Sequence, residues 1–188
     1  MPTERLAKAL ALAIEAHDGQ KRKGTDIPYI SHPMAVAAIA LEHGADEDQT
    51  MAALLHDAVE DGGALFAHRI RAQFGDRVAD IVEGCTDGVP DASGQKEDWK
   101  PRKTRYLAHL QQASADVLLV SCSDKLHNAR AIVSDLQRIG TAVFDRFSAS
   151  QSDTLWYYDE LAKIHTAKAT PVSQPLSQTV GRMKELAG

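Results

Sequence analysis

An all-α fold, a single bundle-like domain of helices, is predicted by three observations. The 188 residues are 44% hydrophobic but only 5% aromatic, with many alanines and leucines, a composition that favours helix packing over a sheet rich in Val, Ile, Phe and Tyr. Apolar residues recur at the three- and four-residue spacing of one helix face along most of the chain, and no two stretches read as a convincing strand pair. The length suits one well-buried domain and is short for two of ordinary size.

The elements follow in order. Residues 3–17 form an amphipathic helix, because Glu4, Lys8 and Glu15 interrupt the apolar residues; the same charges argue against a secretory signal core. An irregular loop follows, DGQKRKGTDIPYISHP, marked by Gly19, Gly24, Pro28 and Pro33. Helices are then expected at 32–43, 47–60, 63–74 and 76–86. A second loop, DGVPDASGQKED, reads as a mobile flap. Helices at 98–113, 115–138, 141–148 and 150–166 complete the series. Beyond them TAKATPVSQPLSQ is polar and contains proline, so 167–188 reads as a linker and a short C-terminal helix. There is no internal repeat or low-complexity tract.

The run MAALLHDAVED contains the most informative pair, His56-Asp57. Both side chains can ligate a metal, and neighbouring helix positions diverge by about 100°, so the two can grip one ion from two sides. His32 opens the segment HPMAVAAIAL, and Asp124 stands where VLLVSC meets DKLHNAR. His32, His56, Asp57 and Asp124 together would make a mixed nitrogen and oxygen site with room for water, suited to Mn, Fe, Co or Zn. Glu60 and Asp61 lie four residues after His56 and Asp57, on the same helix faces, where a general acid or base for an attacking water belongs. Asn128 is one turn beyond Asp124, an amide suited to ribose or phosphate recognition. His127, between them, points off their shared face.

Plainer readings apply elsewhere. His43, His68, His109 and His165 have no motif around them and read as surface or capping histidines. His17 ends the first helix beside the basic loop. Trp156-Tyr157-Tyr158 reads as core packing before a base-stacking platform. Lys21-Arg22-Lys23 and Arg102-Lys103-Thr104-Arg105 are compact basic runs in a chain of net charge −5, whose overall field argues against nonspecific nucleic-acid binding. Cys85 and Cys122 are the two cysteines and lie in buried-looking segments, so a reducing cytoplasm is expected rather than a disulfide scaffold. No apolar run approaches the roughly 20 residues that span a bilayer.

In order along the chain, HDGQKRKG, PYISHP, AALLHDAVED, FGDRVADIVEGCTD and SDKLHNAR resemble the HD-domain hydrolases of the RelA/SpoT type, specifically the small stand-alone alarmone hydrolases. The resemblance runs from about His17 to about Arg130. It implies an HD-domain helical bundle over residues 1–166. His32, His56, Asp57 and Asp124 would be metal ligands, usually for manganese, and Glu60 and Asp61 the acidic pair that activates or positions water. Arg22 and Lys23 would be nucleotide contacts, the arginine able to stack on a purine, with Asn128 a polar contact and Lys103 a phosphate-binding lysine. Departures are Gly62 and Ala131 where the family often has threonine, Asp87 where it often has lysine, and a loop between Lys23 and His32 one residue longer than in the bifunctional enzymes.

The implied activity is hydrolysis of the 3′-pyrophosphate of (p)ppGpp, giving GDP or GTP and pyrophosphate, in a cytoplasmic protein with a small-molecule nucleotide substrate and no nucleic-acid or membrane partner. Two alternatives stay open: the same chemistry on (p)ppApp, NADPH or a 5′-nucleotide, and a nucleotide-binding regulator with an inactive site.

Overall fold

The computed structural model describes residues 4–88 and 97–188, apart from the Asp61 side chain. Among these residues lie nine α-helices: α1 (Glu4–Ala16), α2 (Ser31–Glu42), α3 (Glu47–Leu55), α4 (Ala58–Phe74), α5 (Asp76–Cys85), α6 (Trp99–Leu110), α7 (Ala115–Ile139), α8 (Gln151–Ala167) and α9 (Ser173–Ala187). A 3₁₀ helix, Gly140–Arg146, follows α7. The only β pairing among the described residues is an isolated bridge between Lys21 and Pro28. Most of the loop expected to be a flap, residues 89–96, lies outside the described residues.

Local chemistry explains where the helices begin and end. Asp46 and Gln49 form a capping box at the start of α3: Gln49 N–H donates to Asp46 Oδ1 at 2.9 Å and Asp46 N–H to Gln49 Oε1 at 2.8 Å. Such a cap contributes about 1 kcal/mol. Ser114 and Ser150 cap α7 and α8 in the same way. Gly75 (φ 91°) and Gly140 (φ 64°) take the left-handed conformations at which α4 and α7 stop, a conformation glycine adopts without a Cβ penalty.

Helix α7 is the axis of the bundle and packs against α2, α3, α5, α8 and α9. It buries Val117, Leu118, Leu119, Val120, Leu126 and Leu136, each worth roughly 1.5–3 kcal/mol relative to exposure. Polar residues Asp124 and Asn128 sit among these apolar side chains, so the axis also supplies polar groups to the interior. Helix α9 begins at Ser173, inside the stretch that its polar, proline-containing composition assigns to a linker. Its buried face of Leu176, Val180, Met183 and Ala187 packs against α7 and α8; Pro175, in the first turn, loses no intrahelical donor there.

One expected element is divided differently. The continuous helix over 47–60 is broken at His56-Asp57, which form the turn between α3 and α4. Helix α4 contains a second discontinuity at Gly63 (φ 64°, ψ −155°). At this turn His56 Nε2 and Asp57 Oδ2 approach to 3.1 Å.

Candidate metal centre and nucleotide cleft

Three segments converge on one point: His32 from the first turn of α2, His56 and Asp57 from the α3–α4 turn, and Asp124 from the middle of α7. His32, His56 and Asp124 are only 1, 2 and 5% exposed, and one ligand atom from each lies within 4.8 Å of the others. His32 Nε2 stands 3.1 Å from Asp124 Oδ1 and 3.4 Å from Asp57 Oδ2. His56 Nε2 stands 3.1 Å from Asp57 Oδ2 and 3.7 Å from Asp124 Oδ1. Atoms bound at about 2.1 Å to one cation are separated by about 3.0 to 3.4 Å in octahedral or tetrahedral arrangements, which these spacings approximate.

Hydrogen bonding provides a sharper test of fit. His56 Nδ1 lies 2.8 Å from the Ala53 carbonyl, an acceptor, so the ring donates from Nδ1. In the neutral imidazole Nε2 then offers a lone pair. That nitrogen is fully buried and makes no hydrogen bond of acceptable geometry among the described residues, yet it faces two carboxylates that are acceptors themselves. A cluster of acceptors pointing at one another is costly unless a proton or a cation joins them. The residues therefore fit a divalent metal.

The charges of the groups follow the same logic. Burial opposes a charge on His56, but Asp57 and Asp124 outweigh it and hold the imidazole well above its ordinary pKa. Burial likewise works against the Asp57 carboxylate, which His56 and His32 keep well below the usual carboxylate range. Against the same opposition Lys125, then the two histidines, keep Asp124 ionised; Lys125 Nζ sits 2.6 Å from Asp124 Oδ2. Tyr29 donates its hydroxyl to Asp57 Oδ2 at 2.7 Å.

The remaining site residues are placed unequally. Asn128 donates to Asp124 Oδ1 at 2.6 Å and accepts from Arg22 Nη2 at 2.6 Å, so both adjoin the cluster as expected. Glu60 is half-buried and its Oε1 accepts the Asp87 backbone N–H at 3.2 Å. The Asp61 side chain lies outside the described residues. Lys103 is paired with Asp87, as is Arg102, and burial with the neighbouring Lys125 lowers the Lys103 pKa.

Two hollows with shared wall residues lie beside side chains that contact the cluster. One, about 260 Å³, is lined by Lys23, Arg102, Lys103 and Lys125 together with Trp99 and Tyr157. The other, about 750 Å³, is lined by Arg22, Tyr29, Ala131, Asp135 and Arg146 among others. Lys23, Asn128, Ile132, Phe147 and Tyr158 border both. The Trp156-Tyr157-Tyr158 run therefore splits between packing and cleft wall, where core packing alone was expected.

Sequence reasoning missed Tyr29, Lys125, Arg102 and above all His127. Far from pointing away, His127 Nδ1 lies 2.7 Å from His32 Nδ1. The spacing was available: His127 is three residues after Asp124, an adjacent helix position, and Tyr29 precedes His32 by one turn. His165, expected at the surface, is fully buried beside Thr170 in the α8–α9 corner.

An all-helical bundle with a buried two-histidine, two-aspartate cluster defines a class of metal-dependent domain. Residues 9–154 match the HD domain family, and the chain belongs to it. It is 35% identical over 159 residues to the bifunctional (p)ppGpp synthase/hydrolase SpoT of Escherichia coli K12, covering 85% of this chain and 21% of that protein. It is 37% identical over 131 residues to the guanosine-3′,5′-bis(diphosphate) 3′-pyrophosphohydrolase of Aquifex aeolicus VF5, covering 69% of this chain and 18% of that one. The chain thus spans about a fifth of the length of these relatives. In fold it is similar to a solved metazoan ortholog of SpoT, described as hydrolyzing ppGpp with a role in starvation responses, with a TM-score of 0.78, 23% identity, and 99% and 98% of the two chains covered. No helix among the described residues is long and apolar enough to cross a membrane.

Proposed function

We propose that the chain is a manganese-dependent hydrolase that removes the 3′-pyrophosphate of (p)ppGpp, releasing pyrophosphate and GDP or GTP. The observation that carries the proposal is the meeting of His32, His56, Asp57 and Asp124 in one cluster, with Lys125 and Asn128, which contact Asp124, on the wall of a strongly basic hollow. The functions of the E. coli and Aquifex relatives supply the substrate class. These four side chains would hold the cation, which supplies Lewis acidity, easing deprotonation of water and drawing charge from a phosphoryl oxygen. Glu60 or Asp61 accepts the proton from the attacking water. Lys23 and Lys103 offset phosphate charge, Arg22 stacks on or pairs with the nucleotide, and Asn128 fixes its orientation. Unpaired Cys85 and Cys122 are in keeping with a cytoplasmic protein acting on a small nucleotide rather than on nucleic acid.

The test is pyrophosphate release from ppGpp with manganese, run beside ppApp and NADPH. His56→Ala should abolish turnover and manganese binding. Glu60→Ala should lower kcat by about 100-fold while retaining the metal, and Lys23→Ala should raise KM without metal loss. Full activity of His56→Ala would defeat the proposal. Ala131, on the wall of the larger hollow, offers no side-chain hydroxyl to a base, and a preference for ppApp or NADPH would move the substrate assignment to those nucleotides.

A further inference from the structure

We infer that His127 is a positioning residue of the metal centre: it accepts the Nδ1 proton of His32 and so turns the His32 Nε2 lone pair toward the cation. This rests on the reading of His32, His56, Asp57 and Asp124 as ligands, but its own observation is separate. The two Nδ1 atoms lie 2.7 Å apart, with ring centroids at 4.8 Å and planes inclined by 36°. Two ring nitrogens at that distance share one proton, one donating and the other accepting.

Which one donates follows from the opposite edge of His32. Its Nε2 is the atom facing Asp124 and Asp57, so a ring that ligates from there must carry its proton on Nδ1. His127 Nδ1 then receives it, and His127 keeps its own proton on Nε2.

The two ligand imidazoles are thus oriented by different means. His56 leans on a backbone carbonyl, Ala53 O, which no side-chain substitution removes. His32 leans on a side chain, and that side chain belongs to α7, one turn from the ligand Asp124. Helix α7 therefore supplies one ligand directly and aims a second that stands on α2. Groups that orient a ligating histidine in this way set its tautomer and basicity, and their removal costs about 10- to 100-fold in metal affinity.

The experiment measures manganese dissociation constants for the full chain and for His127→Phe and His127→Asn, by the electron paramagnetic resonance of free Mn²⁺, with no substrate present. Phenylalanine keeps the ring and its packing but lacks the acceptor; asparagine restores an oxygen close to the position of Nδ1. Phe should weaken binding by about 10- to 100-fold, and Asn should recover most of that loss. Wild-type affinity in His127→Phe would overturn the inference, and so would equal weakening in both variants, since shape alone would then explain it. If the unsubstituted chain bound no manganese, the metal-centre reading would fall and this inference with it; tight wild-type binding unaffected by His127→Phe would remove this inference alone.

Discussion

Asp87 concentrates opposing demands in one carboxylate. It is buried between Arg102 and Lys103, and its own backbone N–H holds Glu60. Burial raises its pKa, but Lys103, Lys125 and Arg102 together bring it below the ordinary value. A depressed carboxylate contributes stability above its unfolded pKa of about 3.9 and loses it as pH falls through the folded value. Removing one partner of such a buried group costs about 3 kcal/mol, so Asp87→Asn should unfold at a markedly lower temperature near pH 7. The gap should be constant from about pH 5 to 8 and close below about pH 4; a gap that persists in acid would mean that packing, not charge, is lost. Arg102, Lys103 and Lys125 outnumber this carboxylate, and the lowered pKa of Lys103 marks a place where another anion would be accommodated. A lysine at this position would add a fourth cation to the group; aspartate relieves it. That consequence was hidden in the sequence, because Asp87 and Arg102 meet only across the α5–α6 connection.

Among the elements, apolar spacing together with breakers located the helices, and α1, α2, α5, α7 and α8 occupy close to their expected ranges. What periodicity could not register was an interruption without a change of pattern: the α3–α4 turn keeps its apolar spacing on both sides and contains neither glycine nor proline. Gly62 is a second case. A Cβ there would lie 2.1 Å from Phe66 Cδ2, so a larger side chain would collide with this aromatic ring unless it moved, and the two positions have to be read together. Helix α9 was obscured by its polar half, since tertiary packing rather than composition stabilises it. Truncating its fully buried Met183 to alanine should cost about 2–5 kcal/mol, seen as a reduced denaturant midpoint with an unchanged slope; a value under about 1 kcal/mol would mean that α9 is only loosely docked.

At the scale of the whole molecule, the site's ligands were legible because HD, SHP and SDKLHN are ordered, polar interruptions of apolar helices. Their supporting residues were not, since His127, Tyr29 and Lys125 acquire meaning only when α2, the α3–α4 turn and α7 meet. That meeting implies that the cation stabilises the assembled bundle. Saturating the site at 100 times its Kd should add about 2.7 kcal/mol to unfolding free energy, measured as a rise in Tm with manganese that His56→Ala abolishes; no rise in the unsubstituted chain would mean that the site is not preformed. The bridge from Arg22 through Asn128 to Asp124 carries this further. A nucleotide that draws the guanidinium away from Asn128 would release the amide oxygen, altering the polarisation of a carboxylate that grips the ion. Occupancy of either locus then changes affinity at the other by an identical factor, as thermodynamic reciprocity requires, and the loop between α1 and α2 becomes the messenger between base and metal.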